Sequence, residues 1–348
     1  MIRLLKEYLK KIVEGNELSF EEARFAMNII MSGEASTPQI ASFITALRMR
    51  GETADEISAF ASVMREKAER IETKYSNLVD TCGTGGDAAR TFNISTTAAF
   101  ITAGAGVAVA KHGNRAVSSS SGSADVLEAL GVVIDISPHF IGNCIDEIGF
   151  GFIFAPLVHR AMKYAMEARR EIGIRTVFNI LGPLTNPTGA SAQLLGVFDA
   201  RFCELIARAL MNLGTARVMV VHGLDGVDEI SISSETMVTE LRHGRIFSYT
   251  IKPEDFGMER ADIGNLTGGS PVRNAEIIRS VLEGRAATGM MNIAVLNAAA
   301  AIYVAGAAEC IADGIVLAKR SVTSGSALDK LEELILATKR FKEHVEPT

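Results

Sequence analysis

Residues 1 to about 72 place apolar side chains at helical spacing, Ile2, Leu5, Leu9 and Ile12 among them, and show no strand alternation. Ser19-x-x-Glu22, Thr37-Pro38 and Thr53-x-x-Glu56 read as N-caps, with Gly33 and Gly51 as stops. The pattern predicts four helices. So short a bundle leaves apolar faces over, Phe43, Ile44 and Leu47 among them, which need cover from the rest of the chain or from a second subunit. From Asn77 the pattern changes to short apolar runs between helical stretches. Strands are expected at 78–79, 107–110, 132–136, 152–154, 194–198 and 218–221, the signature of a mainly parallel sheet with helices on its faces. Residues 236–251, alternating about Arg242-His243-Gly244-Arg245, read as an antiparallel excursion, and helices return over 274–342. The fold class is α/β.

Composition narrows the function classes. The chain has 348 residues, 48% of them hydrophobic, which suits two domains or one large domain with an appendage. A net charge of −6 argues against a surface built for nucleic acid. Cys82, Cys144, Cys203 and Cys310 are too scattered for a zinc site or a disulfide framework, so a reduced cytoplasm is expected. The first eleven residues are charged throughout and lack the apolar core of a signal peptide. The most apolar run, 293–308, is alanine-rich and interrupted by Asn297; it reads as a buried helix and not as a membrane span.

Four stretches carry candidate chemistry. Asp80-Thr81-Cys82-Gly83-Thr84-Gly85-Gly86-Asp87, continued by Asn93-Ile94-Ser95-Thr96, reads as a strand end at 78–79, a glycine turn and a helix start, whose main-chain N–H groups attract anions. Its spacing fits neither the dinucleotide fingerprint nor the P-loop, and a turn without function is the plain alternative. Lys111-His112-Gly113-Asn114-Arg115, leading to the serines 118–121, offers two cations and a row of hydroxyls to a polyanion such as pyrophosphate; a solvated polar loop is the alternative. Asp228-Glu229 lies beyond a strand end and suits magnesium, although adjacent acids are common on surface loops. Arg169-Arg170 falls near the end of a helix expected over 157–172, as a carboxylate fork or as dipole compensation.

Taken together, Gly83-Thr84-Gly85-Gly86-Asp87, Asn93-Ile94-Ser95-Thr96, Lys111 to Arg115, Ser121-Gly122-Ser123-Ala124-Asp125 and Leu181 to Pro187 resemble the anthranilate phosphoribosyltransferases of tryptophan biosynthesis. The resemblance spans nearly the whole chain. It implies a small helical domain over 1–72, completed by a segment near 160–190, on a large α/β domain over 73–348. It also implies a cytoplasmic homodimer joined through the helical domains.

The implied reaction moves the phosphoribosyl group of phosphoribosyl pyrophosphate to the amine of anthranilate, with magnesium, as two ions. Carried over by position, Gly83, Gly86, Asp87, Thr91, Asn93, Ile94, Ser95, Thr96, Lys111, His112, Gly113, Asn114, Arg115, Ala116, Val117, Ser118, Ser119 and Ser123 would hold phosphoribosyl pyrophosphate. Gly83, Asn114, His159, Arg169 and Pro183 would meet anthranilate, and Ser95, Asp228 and Glu229 the metal. No residue is assigned as acid, base or nucleophile. The chain departs from the family pattern at Arg160, at Glu167-Ala168 and at Ser120, where proline, a Pro-Val pair and lysine are usual. The competing readings are a pyrimidine nucleoside phosphorylase and a non-catalytic relative that binds nucleic acid on the same scaffold.

Overall fold

The computed structural model describes residues 2–86, 90–116 and 120–343. The first part is helical: α1 (Ile2–Val13), α2 (Phe20–Met31), α3 (Thr37–Arg50) and α4 (Ala54–Lys67). Ser19 and Thr53 cap α2 and α4 in reciprocal boxes with Glu22 and Glu56, as the spacing predicts. The cap of α3 sits one residue earlier than expected. Ser36 is its N-cap, its N–H donating to Gln39 at 2.9 Å, and Thr37 and Pro38 already lie in the first turn.

Seven strands follow: β1 (Val79–Gly83), β2 (Val109–Gly113), β3 (Phe150–Phe154), β4 (Ala192–Gly196), β5 (Arg217–Gly223), β6 (Thr236–Arg242) and β7 (Arg245–Ile251). They form one sheet in the order β3-β2-β1-β4-β5-β6-β7, parallel from β3 to β5, with β6 and β7 added antiparallel. The helices between and after them are α5 (Ile94–Gly104), α6 (Ser123–Leu130), α7 (Pro138–Ile148), α8 (Ala155–Val158), α9 (Lys163–Ile172), α10 (Phe178–Leu181), α11 (Phe202–Asn212), α12 (Pro271–Leu282), α13 (Thr288–Val304), α14 (Ile311–Thr323) and α15 (Ser326–Glu343).

Strand alternation divides the interior in two. On β5, Met219 and Val221 join one apolar cluster with α5, α13 and α15, while Val218 and Val220 join the other with α11 and the N-terminal helices. The second cluster also takes in Ala165 and Ala168 of α9 and Val177 to Leu184 beyond it. Phe43, Ile44 and Leu47 are fully buried there, so their cover comes from within the chain.

Three expectations are corrected. The run 132–136 is no strand: Val132, Ile134 and Ile136 are buried, but the Val133 N–H donates to the Thr338 hydroxyl at 3.1 Å instead of to a neighbouring strand. The helix expected over 157–172 breaks at His159 into α8, a 3-10 turn at Arg160–Met162, and α9. Finally, β1 and β2 extend beyond 79 and 110 to the glycines at 83 and 113, so Asp80, Thr81, Lys111 and His112 are strand residues and not loop. The apolar helix α13 is buried along most of its length, and no described helix is long and apolar enough to cross a membrane.

Candidate active site

In the order β3-β2-β1-β4-β5 the chain leaves β1 toward β2 on one side and later returns to β4 on the other. Ligands of open parallel sheets bind at such a switch point, outside the carboxyl ends of the strands. Here those ends are Gly83 and Gly196, paired in register. A Cβ on Gly83 would lie 2.4 Å from Asp228 Oδ2 and displace that carboxylate, and one on Gly196 would lie 1.5 Å from the Asp228 carbonyl oxygen, where the backbone leaves no room for it. The two glycines let the segment after β5 settle directly over the strand ends.

That segment brings the acids to the crevice. Asp228 Oδ2 accepts the Gly85 N–H at 2.8 Å, and Glu229 Oε1 accepts the Ser95 N–H at 3.0 Å at the start of α5. The neighbouring carboxylates thus reach opposite walls, one toward the glycine turn and one toward the helix. Among the described residues no three His, Cys, Asp or Glu side chains converge as metal ligands. Two carboxylates and the Ser95 hydroxyl form a hard-oxygen set that fits magnesium shared with phosphate oxygens, and does not fit a closed zinc-type site.

Beneath the turn lies a buried charged pair. Lys111, 1% exposed, donates from Nζ to the Thr81 carbonyl oxygen and to Ser95 Oγ, the latter at 3.3 Å. Burial lowers its pKa, opposed by Asp80. Asp80, pushed up to about 6 by burial, accepts Asn186 Nδ2 at 3.0 Å and the His112 N–H at 3.1 Å. Asn186 also donates to the Ala110 carbonyl oxygen at 2.8 Å, so the turn after α10 is tied to β2 as well.

The other wall is built by amides. Asn93, the N-cap of α5, donates to the Ser121 carbonyl oxygen at 3.1 Å and accepts Asn274 Nδ2 at 2.8 Å. Asp125 Oδ2 accepts the N–H groups of Ala116 and Gly122, each at 2.9 Å, at the start of α6. Arg115 does not offer its charge to the crevice: its guanidinium pairs with Asp125 and Glu128 and lies 5.5 Å over the Phe154 ring. The Ser123 hydroxyl donates to the Asn114 carbonyl oxygen at 3.3 Å, while the Asn114 side chain accepts the Arg115 N–H at 2.8 Å. Gly113 has no room for a Cβ beside Ser123. Ile94 and Thr96 are buried beneath the crevice, and Thr91 bridges to Thr267. Asp87, Val117, Ser118 and Ser119 lie outside the described residues.

A second group gathers beside β2. His112 and His159 are buried with ring centroids 5.1 Å apart, and burial pulls their pKa values down to about 3 and about 4. His112 Nε2 has no hydrogen-bond partner among the described residues, and His159 Nε2 faces the Thr185 hydroxyl at 3.4 Å. Pro183 is buried, its carbonyl oxygen accepting from Gln193 at 2.6 Å. On α9, Arg169 is half-buried over the Phe178 ring at 5.4 Å and makes no ion pair among the described residues; burial lowers its pKa. Arg170 is exposed.

Two of the departures have partners: Arg160 pairs with Glu69 at 3.3 Å, and Glu167 accepts the Thr37 hydroxyl at 2.6 Å, fastening α9 to α3. Ser120 is exposed at the edge of the serine loop. The sequence pattern missed Arg175, which donates to the Gly86 carbonyl oxygen and stacks on Phe198 at 4.3 Å. Its position in Gly173-Ile174-Arg175-Thr176, after a helix stop, gives only a weak signal.

Comparison with known proteins adds to this geometry. The sequence profile described as the glycosyl transferase family a/b domain matches residues 75–328, and that of the family's helical bundle domain matches residues 6–68. An anthranilate phosphoribosyltransferase of Methanocorpusculum labreanum is 56% identical over 334 residues, 96% of this chain and 98% of its own. That of Moorella thermoacetica is 52% identical over 332 residues, covering 95% and 98%. Among solved structures, anthranilate phosphoribosyltransferase from Thermus thermophilus superposes with a TM-score of 0.91 at 44% identity, covering 95% of this chain and 99% of its own. The Saccharomyces cerevisiae enzyme in complex with phosphoribosyl pyrophosphate and magnesium does so at 0.88 and 28% identity, covering 97% and 98%.

Proposed function

Because the chain belongs to the glycosyl transferase family, and within it to the anthranilate phosphoribosyltransferases, we propose that it transfers the 5-phosphoribosyl group of phosphoribosyl pyrophosphate to the amine of anthranilate. Pyrophosphate is released. The observation that carries this reading is the convergence of Asp228, Glu229, Ser95 and Lys111 on the switch-point crevice between Gly83 and Gly196. The comparisons favour neither the nucleoside phosphorylase nor the nucleic-acid-binding alternative.

An aromatic amine conjugated to a carboxylate is a weak nucleophile, so the C1–O bond to pyrophosphate breaks largely before the amine attacks. The transition state is oxocarbenium-like and needs no covalent enzyme nucleophile. Bound magnesium would neutralise the departing pyrophosphate. Asp228, Glu229 and Ser95 would hold it, and the divergent reach of the two carboxylates supports two ions. Glu229 and Asp228 accept N–H groups that the glycine turn and α5 would otherwise present to phosphate, so these contacts are exchanged when pyrophosphate enters. Lys111 places a fixed cation beneath Ser95 on the leaving-group side.

Asn114, His159, Pro183 and Arg169 are proposed to line the acceptor side. Arg169, a half-buried cation with no acid partner among the described residues, suits the anthranilate carboxylate. Asp87, Thr91, Asn93, Gly86 and the stretch to Ser119 are proposed to surround the phosphoribosyl group, with Arg115 acting through Asp125 and Glu128 and not by charge. The chain is read as two parts, residues 1–72 with a segment near 160–190, and residues 73–348. A homodimer through the helical part is supported by Val13, Phe25 and Met49, which are 70%, 59% and 83% exposed there. Light scattering that finds a monomer at micromolar concentration removes that proposal.

Anthranilate fluorescence tests the activity. The expected result is loss of signal that requires both phosphoribosyl pyrophosphate and magnesium, with no phosphorolysis of thymidine or uridine. Phosphorolysis without consumption of anthranilate overturns the assignment.

A further inference from the structure

Asn297 is the residue that interrupts the apolar run of α13, and it is fully buried. Its Oδ1 accepts the Ile230 N–H at 2.9 Å, and its Nδ2 donates to the Ile230 carbonyl oxygen at 2.9 Å and to the Ile293 carbonyl oxygen at 2.9 Å. One side-chain amide thus answers both backbone groups of a residue that no strand pairs. Ile230 is itself buried and directly follows Glu229. Buried backbone groups demand partners, and in an alanine-rich helix the amide of Asn297 supplies a donor and an acceptor together with the reach to meet both. Upstream, the Gly223 N–H donates to the Val227 carbonyl oxygen at 2.9 Å, and the Asp228 backbone rests where a Cβ of Gly196 would be. The two acids therefore span a short gap between fixed points.

We infer that Asn297 is a positioning residue for the Asp228-Glu229 carboxylates, setting through the Ile230 backbone where they present oxygen to the metal-bound pyrophosphate. The inference rests on the reading of those acids given above. Outer partners of metal ligands typically alter metal affinity about ten- to a hundredfold.

The test is binding of Mn2+ in the presence of inorganic pyrophosphate, followed by the electron paramagnetic resonance signal of free Mn2+, in the parent, Asn297→Leu and Asn297→Ser. The account predicts at least tenfold weaker Mn2+ binding in the leucine variant, partial recovery with serine, and an anthranilate KM within twofold of the parent. If the parent holds no Mn2+ with pyrophosphate, the carboxylate reading fails and this inference with it. If the parent binds and folded variants bind equally well, the inference alone fails. Should neither variant fold, hydrogen exchange on the unmodified enzyme decides. Strong protection of the Ile230 amide that rises further with Mg2+ and pyrophosphate supports the clamp, and protection that stays unchanged overturns it.

Discussion

At the scale of single residues, the site depends on atoms that are missing as much as on those present. Gly196 faces the Asp228 carbonyl oxygen at a distance no Cβ can occupy, and the obstacle is backbone. Gly196→Ala must therefore lift the segment bearing Asp228 and Glu229, at a cost of about 1–3 kcal/mol. Thermal melting should show the loss, and the magnesium midpoint of activity should rise with it. Parent values for both would mean that the segment is held elsewhere. The buried histidines make a pH prediction with a definite sign. An unfolded histidine titrates near 6.5, whereas His112 and His159 are held down at about 3 and about 4, so as pH falls below 6.5 the unfolded chain takes up protons that the fold refuses. Their contribution is complete above pH 6.5 and is lost as pH falls toward their folded values, about 2 kcal/mol each by pH 5. His159→Gln should flatten the fall in melting temperature between pH 7 and pH 5, and an unchanged pH profile would contradict the burial argument. Much at this scale was not legible in the sequence. Asp80 and Lys111 look like loop residues because strands seldom bury charge, and the partners that make it tolerable, Asn186 and Ser95, lie far along the chain or across a turn. Asn297 reads as a mere interruption for the same reason: Ile230, whose backbone it holds, is 67 residues away.

At the scale of elements, local signals were reliable wherever the determining contacts were local. The capping boxes of α2 and α4 could be read from spacing, since their partners sit within a few residues, whereas the extension of β1 and β2 to their glycines could not, because strand partners lie far along the chain. The run 132–136 shows the opposite case, for apolar alternation cannot reveal that no strand lies beside it. The two boxes also differ in a way that spacing hides. Glu22 is partly exposed and pairs with Lys11 at 2.6 Å, whereas Glu56 is fully buried and gathers the Leu18 N–H at 2.8 Å, the Thr53 N–H at 3.0 Å and the Arg50 guanidinium. Glu56 thus ties α4 to the end of α3 and to the turn before α2. Removing one partner of such a group strands the rest, so Glu56→Ala should cost about 3 kcal/mol. Glu22→Ala should cost about 1 kcal/mol. Urea unfolding of the two variants would compare them, and equal losses would show that burial of Glu56 adds nothing.

At the scale of the whole molecule, the helical part packs on one face of the sheet through a shared apolar cluster. α9 and the stretch to Pro187 lie between them: Ala165 and Ala168 pack with the N-terminal helices, while Asn186 reaches β2. The strand order explains why the glycines of β1 and β4 meet. What brings α13 over the loop after β5 is tertiary packing, which no local window contains. The most direct test of the central claim is a crystal of the enzyme soaked with phosphoribosyl pyrophosphate and magnesium. The account predicts pyrophosphate over Gly83 and Gly196, with magnesium about 2.1 Å from oxygens of Asp228 or Glu229 and bridging to the phosphates. Pyrophosphate bound away from the β1–β4 crevice, or metal with no contact to either carboxylate, would contradict it.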